Sequence, residues 1–188
     1  MGEFDQVPHQ KKIRVVGYTE LDDRPAFKMS ILEVNGSWFM YVGHLWHSGW
    51  SIIDVTDPAN PYLLSLLPVP APPPGAPYRN FCEKGGRFGP HNLNHNYHNP
   101  FVQQRDDLLY VTYFNAGLRI FDMTDPRLPV ETGYFIPPNP KRRYGPKPER
   151  VLAAQSEDVL VDARGIIYLT DKNQGIWILR YVEEEESP

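Results

Sequence analysis

Residues 39–58 read Phe39-Met-Tyr-Val-Gly-His-Leu-Trp-His-Ser-Gly-Trp-Ser-Ile-Ile-Asp-Val-Thr-Asp-Pro58, and the pattern returns twice further along the chain. The second copy is Leu108-Leu-Tyr-Val-Thr-Tyr-Phe-Asn-Ala-Gly-Leu-Arg-Ile-Phe-Asp-Met-Thr-Asp-Pro126, and the third is Ile166-Ile-Tyr-Leu-Thr-Asp-Lys-Asn-Gln-Gly-Ile-Trp-Ile-Leu-Arg-Tyr181. Tyr41, Tyr110 and Tyr168 align, as do Gly49, Gly117 and Gly175. Each copy is an apolar strand, a turn closed by a glycine that tolerates positive φ, and a second apolar strand, which is a hairpin signal. The recurring tyrosines read as core, and Trp50, Leu118 and Ile176, each following the repeat glycine, are expected at equivalent positions.

Working outward, a strand is predicted after each Thr-Asp-Pro stop, at 62–69 and 130–136, and strands at 28–35 and 157–162 precede hairpins. Four short antiparallel strands that recur with a residue signature predict an all-β chain of β-propeller-like blades. Three blades are expected, at approximately 28–70, 88–137 and 155–181, in a single domain over 1–188. A β-sandwich is the other architecture with short, evenly spaced strands, but its strands do not normally repeat a signature. Proline-rich inserts at 68–77 and 137–148 interrupt the spacing. The segment 12–20 reads as a lone strand that completes the third blade, whose own copy ends after its third strand.

Composition agrees with this architecture. The 188 residues are 41% hydrophobic and 22% charged, enough to build a core. Twenty prolines, about twice the average usage of ~5%, argue against long helices. A net charge of -4 gives no basic face for nucleic acid or an anionic membrane, so neither is expected as a partner. Cys82 has no second thiol for a disulfide or a redox pair, and residues 1–9 lack the features of a signal peptide. No apolar run approaches the ~20 residues that span a bilayer. A soluble, cytoplasmic protein is the expectation.

The segments Ser51-Ile-Ile-Asp-Val-Thr-Asp-Pro-Ala-Asn-Pro61 and Leu118-Arg-Ile-Phe-Asp-Met-Thr-Asp-Pro126 resemble the LVIVD repeat of bacterial β-propeller proteins. Phe88-Gly-Pro-His-Asn92, Gln155-Ser-Glu-Asp-Val-Leu-Val-Asp162 and Asp171-Lys-Asn-Gln-Gly175 resemble the closing blades of the same family. The resemblance implies a propeller and names no activity. Family members are longer, so it also implies that the opening blade, through Pro61, runs directly into closing blades from about Leu63, without the middle ones. About three blades fall short of the four to eight of a ring. The strand at 12–20 then either closes its own chain into a tight arc or adds to the last blade of a second copy, giving a two-fold homodimer.

The densest polar stretch is Gly89-Pro-His-Asn-Leu-Asn-His-Asn-Tyr-His-Asn-Pro100, with His91, His95 and His98. Imidazole is the commonest metal ligand, so the cluster suits zinc, copper or iron. His44 and His47 sit at the hairpin turn of the first blade. A propeller gathers functional groups around its axis from its innermost strands, which nominates His91 in one blade with Glu157 or Asp158 in the next. The candidate metal ligands are therefore His91, His95, His44, Glu157 and Asp158. The competing reading is that His91 caps a strand while Glu157 and Asp158 line the channel without a ligand. Nothing resembles a phosphate-binding loop, a dinucleotide fingerprint or a serine-nucleophile elbow. Two functions follow from these observations. One is a binding or scaffold protein that contacts a protein or small-molecule ligand. The other is an oxidoreductase or hydrolase that depends on a divalent transition metal held by the histidine-rich site in the channel.

Overall fold

The computed structural model describes residues 11–24, 26–44, 49–94, 98–142 and 151–183. Three antiparallel sheets follow one another along the chain. The first runs β1 (Ala26–Val34), β2 (Ser37–His44), β3 (Trp50–Asp54) and β4 (Tyr62–Leu66), paired in that order. A one-turn helix, α1 (Phe81–Lys84), precedes the second sheet of β5 (Leu108–Thr112), β6 (Leu118–Asp122) and β7 (Val130–Phe135). The third consists of β8 (Ser156–Val161), β9 (Ile166–Asp171) and β10 (Gly175–Arg180). The fold is all-β, built of propeller-like blades that form a partial propeller.

The repeated signature has a physical reading at each strand exit. Asp54 Oδ1 accepts from the Thr56 N–H (2.9 Å) and Asp57 Oδ1 from the Ala59 N–H (3.0 Å). Asp122 and Asp125 do the same for Thr124 (2.8 Å) and Arg127 (2.9 Å). Asp-x-Thr-Asp-Pro thus encodes two successive Asx turns, which stop one strand and launch the next.

Among the described residues, only the first blade carries four full strands. In the second, the innermost strand is residues 91–94, held to β5 by the Leu93–Val111 bridge and by main-chain bonds from His91 N to Thr112 O (2.9 Å) and from Asn94 N to Tyr110 O (3.0 Å). Pro90, which lacks an N–H, precedes it and limits pairing on that side.

The three hairpins share one register: Tyr41 pairs with Ile52, Tyr110 with Ile120 and Tyr168 with Ile178. In the first and second blades the tyrosine-bearing face looks toward the next blade in the chain. Tyr41, Trp50 and Ile52 pack with Val111, Tyr113 and Phe121 of the second blade, and Tyr110, Leu118 and Ile120 pack with Val159, Val161 and Leu169 of the third. Among the described residues no further sheet covers that face of the third blade. Trp50 and Leu118 are therefore buried, whereas the equivalent Ile176 is 66% exposed and Tyr168 is half-buried. The positions correspond as expected; their surroundings do not, because no sheet among the described residues lies over Ile176.

Residues 12–20 form no strand with the sheets of their own chain. Lys12 has a positive φ, and so do Leu21, Asp22 and Asp23, a succession that turns the chain rather than extending it. Leu21 is buried against Val42 and Ile53 on the backward face of the first blade. Within the described residues β10 remains an edge strand, paired only with β9.

Candidate functional site

The innermost strands of the three blades converge around His91. Main-chain bonding sets the position of Glu157, because Ser156 N donates to Phe114 O (2.9 Å) and ties the start of β8 to the second blade. His91 Nδ1 lies 2.6 Å from the Glu157 carbonyl oxygen, which only accepts, so Nδ1 carries the proton in that contact. The Thr112 hydroxyl donates to the same carbonyl (2.9 Å). His91 Nε2 is 3.7 Å from Glu157 Oε2, and Lys172 Nζ is 3.5 Å from Glu157 Oε1. The Phe114 ring lies 4.6 Å and the Phe27 ring, from β1, 6.1 Å from the imidazole, centroid to centroid.

The result is a partly buried row of imidazole, carboxylate and ammonium between aromatic rings. Pinning Nδ1 to a carbonyl directs Nε2 toward the Glu157 carboxylate. The carboxylate, shared between His91 and Lys172, can accept a proton or a polar ligand group.

The nominated ligands do not all assemble here. His91 and Glu157 meet, as their strand positions predict. Asp158 does not join them: β8 has a register irregularity between Ser156 and Val159, and Asp158 is exposed, its carboxylate accepting from the Val159 N–H (2.9 Å). His44 is fully buried, its Nε2 2.6 Å from the Ser51 hydroxyl. It shares strand parity with Val42, on the face turned away from the second blade. His95 and His47 lie outside the described residues. Among the described residues, no three His, Cys, Asp or Glu side chains are grouped to hold a metal ion.

Sequence reasoning passed over Lys172, although it lies within the quoted Asp171-Lys-Asn-Gln-Gly175 turn; its adjacency to the start of β8 was the available signal. It also passed over Arg119. That position holds Ser51 and Trp177 in the other two copies, so a guanidinium inside an apolar strand marked it as unusual.

No family model matches the chain, and no curated protein matches it in sequence. Among the described residues, no helix is long and apolar enough to cross a membrane.

Proposed function

We propose that the chain is a non-catalytic binding scaffold, a partial propeller of the LVIVD-repeat kind that pairs with a second copy of itself. The observation that carries this reading is a pair of blade faces with exposed apolar residues, the backward one covered in part by Leu21. The forward face of the third blade exposes Leu160 (44%), Ile176 (66%) and Ile178 (70%), and the backward face of the first exposes Met29 (65%) and Ile31 (50%). Inside the chain, each forward face is buried on a backward face. Two-fold pairing sets the third blade of one copy on the first blade of the other, twice over, and covers both apolar faces in one closed assembly. A second copy suits these faces better than an unrelated partner because the two halves of the missing contact are on the same chain. The exposed, unpaired thiol of Cys82 suits the reducing cytoplasm. Light scattering on purified protein at micromolar concentration tests the reading. A dimer is expected; a monodisperse, cooperatively melting monomer overturns it.

A second reading is favoured by one contact, His91 Nε2 facing the Glu157 carboxylate in the channel. On that reading the pair supplies a nitrogen and an oxygen ligand to zinc, copper or iron, with further ligands from His95 or solvent, and the chain is a metal-dependent oxidoreductase or hydrolase. Elemental analysis separates the two readings. Stoichiometric metal that is lost on His91→Ala establishes the second; its absence leaves the scaffold.

A further inference from the structure

The two proline-rich inserts, which the blade repeat does not explain, come together on the outer side of the second blade. Pro73, Pro77 and Tyr78 of the first insert face Pro137 and Pro138 of the second across a cleft of about 530 Å³. Tyr134 of β7 and Lys84 of α1 complete the lining. Prolines offer no N–H to a ligand, so these walls present flat apolar surface beside two phenol rings.

Lys84 is the charged group in this lining, and its position is fixed. Asn115 Nδ2 donates to Phe81 O (2.6 Å) and Gly85 O (2.7 Å), clamping both ends of α1, and Lys84 Nζ donates to Asn115 O (2.7 Å). The ammonium lies 5.9 Å from the Tyr78 ring centroid. Its other two N–H groups have no protein partner among the described residues. The carboxylate of Asp171 acts on it electrostatically, but both Asp171 oxygens are engaged, by Gln155 N (2.7 Å) and Asn173 N (2.8 Å).

A second cation lies behind the aromatic wall. Arg119 is 1% exposed and sits between Phe81 and Tyr134, with ring centroids at 5.2 and 5.1 Å. Nε donates to Ala116 O (2.9 Å) and Nη1 lies 3.1 Å from Glu131 Oε1, while the buried Nη2 has no partner. Glu131 is thus paired with Arg119, and the carboxylate that acts on Lys84 is that of Asp171. Burial, reinforced by Arg119 and only partly offset by the Asp171 carboxylate, pushes the Lys84 amine down to about 8.

We infer that this cleft is a binding site for a small aromatic carboxylate, whose anionic group is taken by Lys84 and whose ring lies against the proline walls and the two tyrosines. A single reachable ammonium matches a singly charged carboxylate, and the flat walls match a planar ring. The site is separate from the exposed apolar blade faces and stands whether or not the chain dimerises.

The test uses the full chain with 2-naphthoate and its neutral isostere 2-naphthamide, titrated calorimetrically. The acid binds, and the amide binds at least about tenfold more weakly, since a charge-assisted bond in a half-buried site separates them. Lys84→Met reduces the acid to the level of the amide while circular dichroism and melting stay those of the parent, and Lys84→Arg keeps a preference for the acid. Should Lys84→Met fail to fold, the acid-to-amide ratio on the parent protein decides alone. Equal affinities, no binding of the acid, or an unchanged preference in folded Lys84→Met each overturn the proposal.

Discussion

Asp171 closes the third hairpin and carries more of the structure than its place in a turn suggests. It is buried, and burial raises its pKa, opposed by the two N–H groups it accepts from Asn173 and Gln155. A raised carboxylate value means the folded chain keeps a proton that the unfolded chain has released, so this group makes stability fall as pH rises through the interval between the two values. Asp171→Asn removes the charge but turns an amide N–H₂ toward one of the two donors. The variant is expected to be less stable by about 1–3 kcal/mol in urea denaturation, and the fall in stability with rising pH that Asp171 contributes should be absent from its profile. Lys84 behaves in the opposite sense. Its amine is held down to about 8, so above that pH the unfolded chain binds the extra proton and stability rises with pH until the unfolded amine also titrates. Trace acetylation followed by peptide mass spectrometry checks this: Lys84 should reach half-maximal reactivity near pH 8, ahead of exposed lysines. Simultaneous labelling of all lysines would refute the assignment.

Among the elements, the hairpins show what a repeated glycine is for. Gly117 has φ +78°, and a Cβ there would collide with the carbonyl oxygen of Phe135 on β7. Gly36, between β1 and β2, has φ +81° with open space around it. Gly36→Ala should cost about 1–2 kcal/mol for the left-handed backbone alone. Gly117→Ala should exceed this clearly or prevent folding, a difference that paired melting curves measure. The hairpins and their Asx turns were legible in the sequence because local chemistry specifies them. The innermost strand of the second blade was less so, since the preceding Pro90 limits its pairing. The segment 12–20 pairs with no sheet of its own chain, and its sequence does not reveal the left-handed turn that follows it at Leu21, Asp22 and Asp23. At the site, His91 and Glu157 were legible from strand order. His44 and Asp158 were not, because the first depends on which blade face is turned inward and the second on a local irregularity in β8.

For the whole molecule, the uncovered face of the third blade gives a prediction that separates association from folding. Ile178 is 70% exposed on the single chain, so Ile178→Asp should leave urea stability measured on the dissociated chain within about 0.5 kcal/mol of the parent. The same change should shift light scattering from dimer to monomer; a variant that stays dimeric would show that this face is not the contact. The seams between blades are unequal. The second and third share main-chain bridges, Phe114 with Ser156 and Val102 with Asp162, reinforced by Gln103 N on Val161 O (2.8 Å) and Ala163 N on Phe101 O (2.8 Å). The first is held to the second by side-chain packing and by the Ser65 hydroxyl on Pro126 O (2.6 Å), with no main-chain bridge between them among the described residues. Apolar contacts yield gradually to a pulling force, whereas a bridged pair of sheets resists until several bonds break together. A chain stretched by its ends would therefore tear along a grain, the first blade peeling away as a separate flap before the other two gave way as a single block.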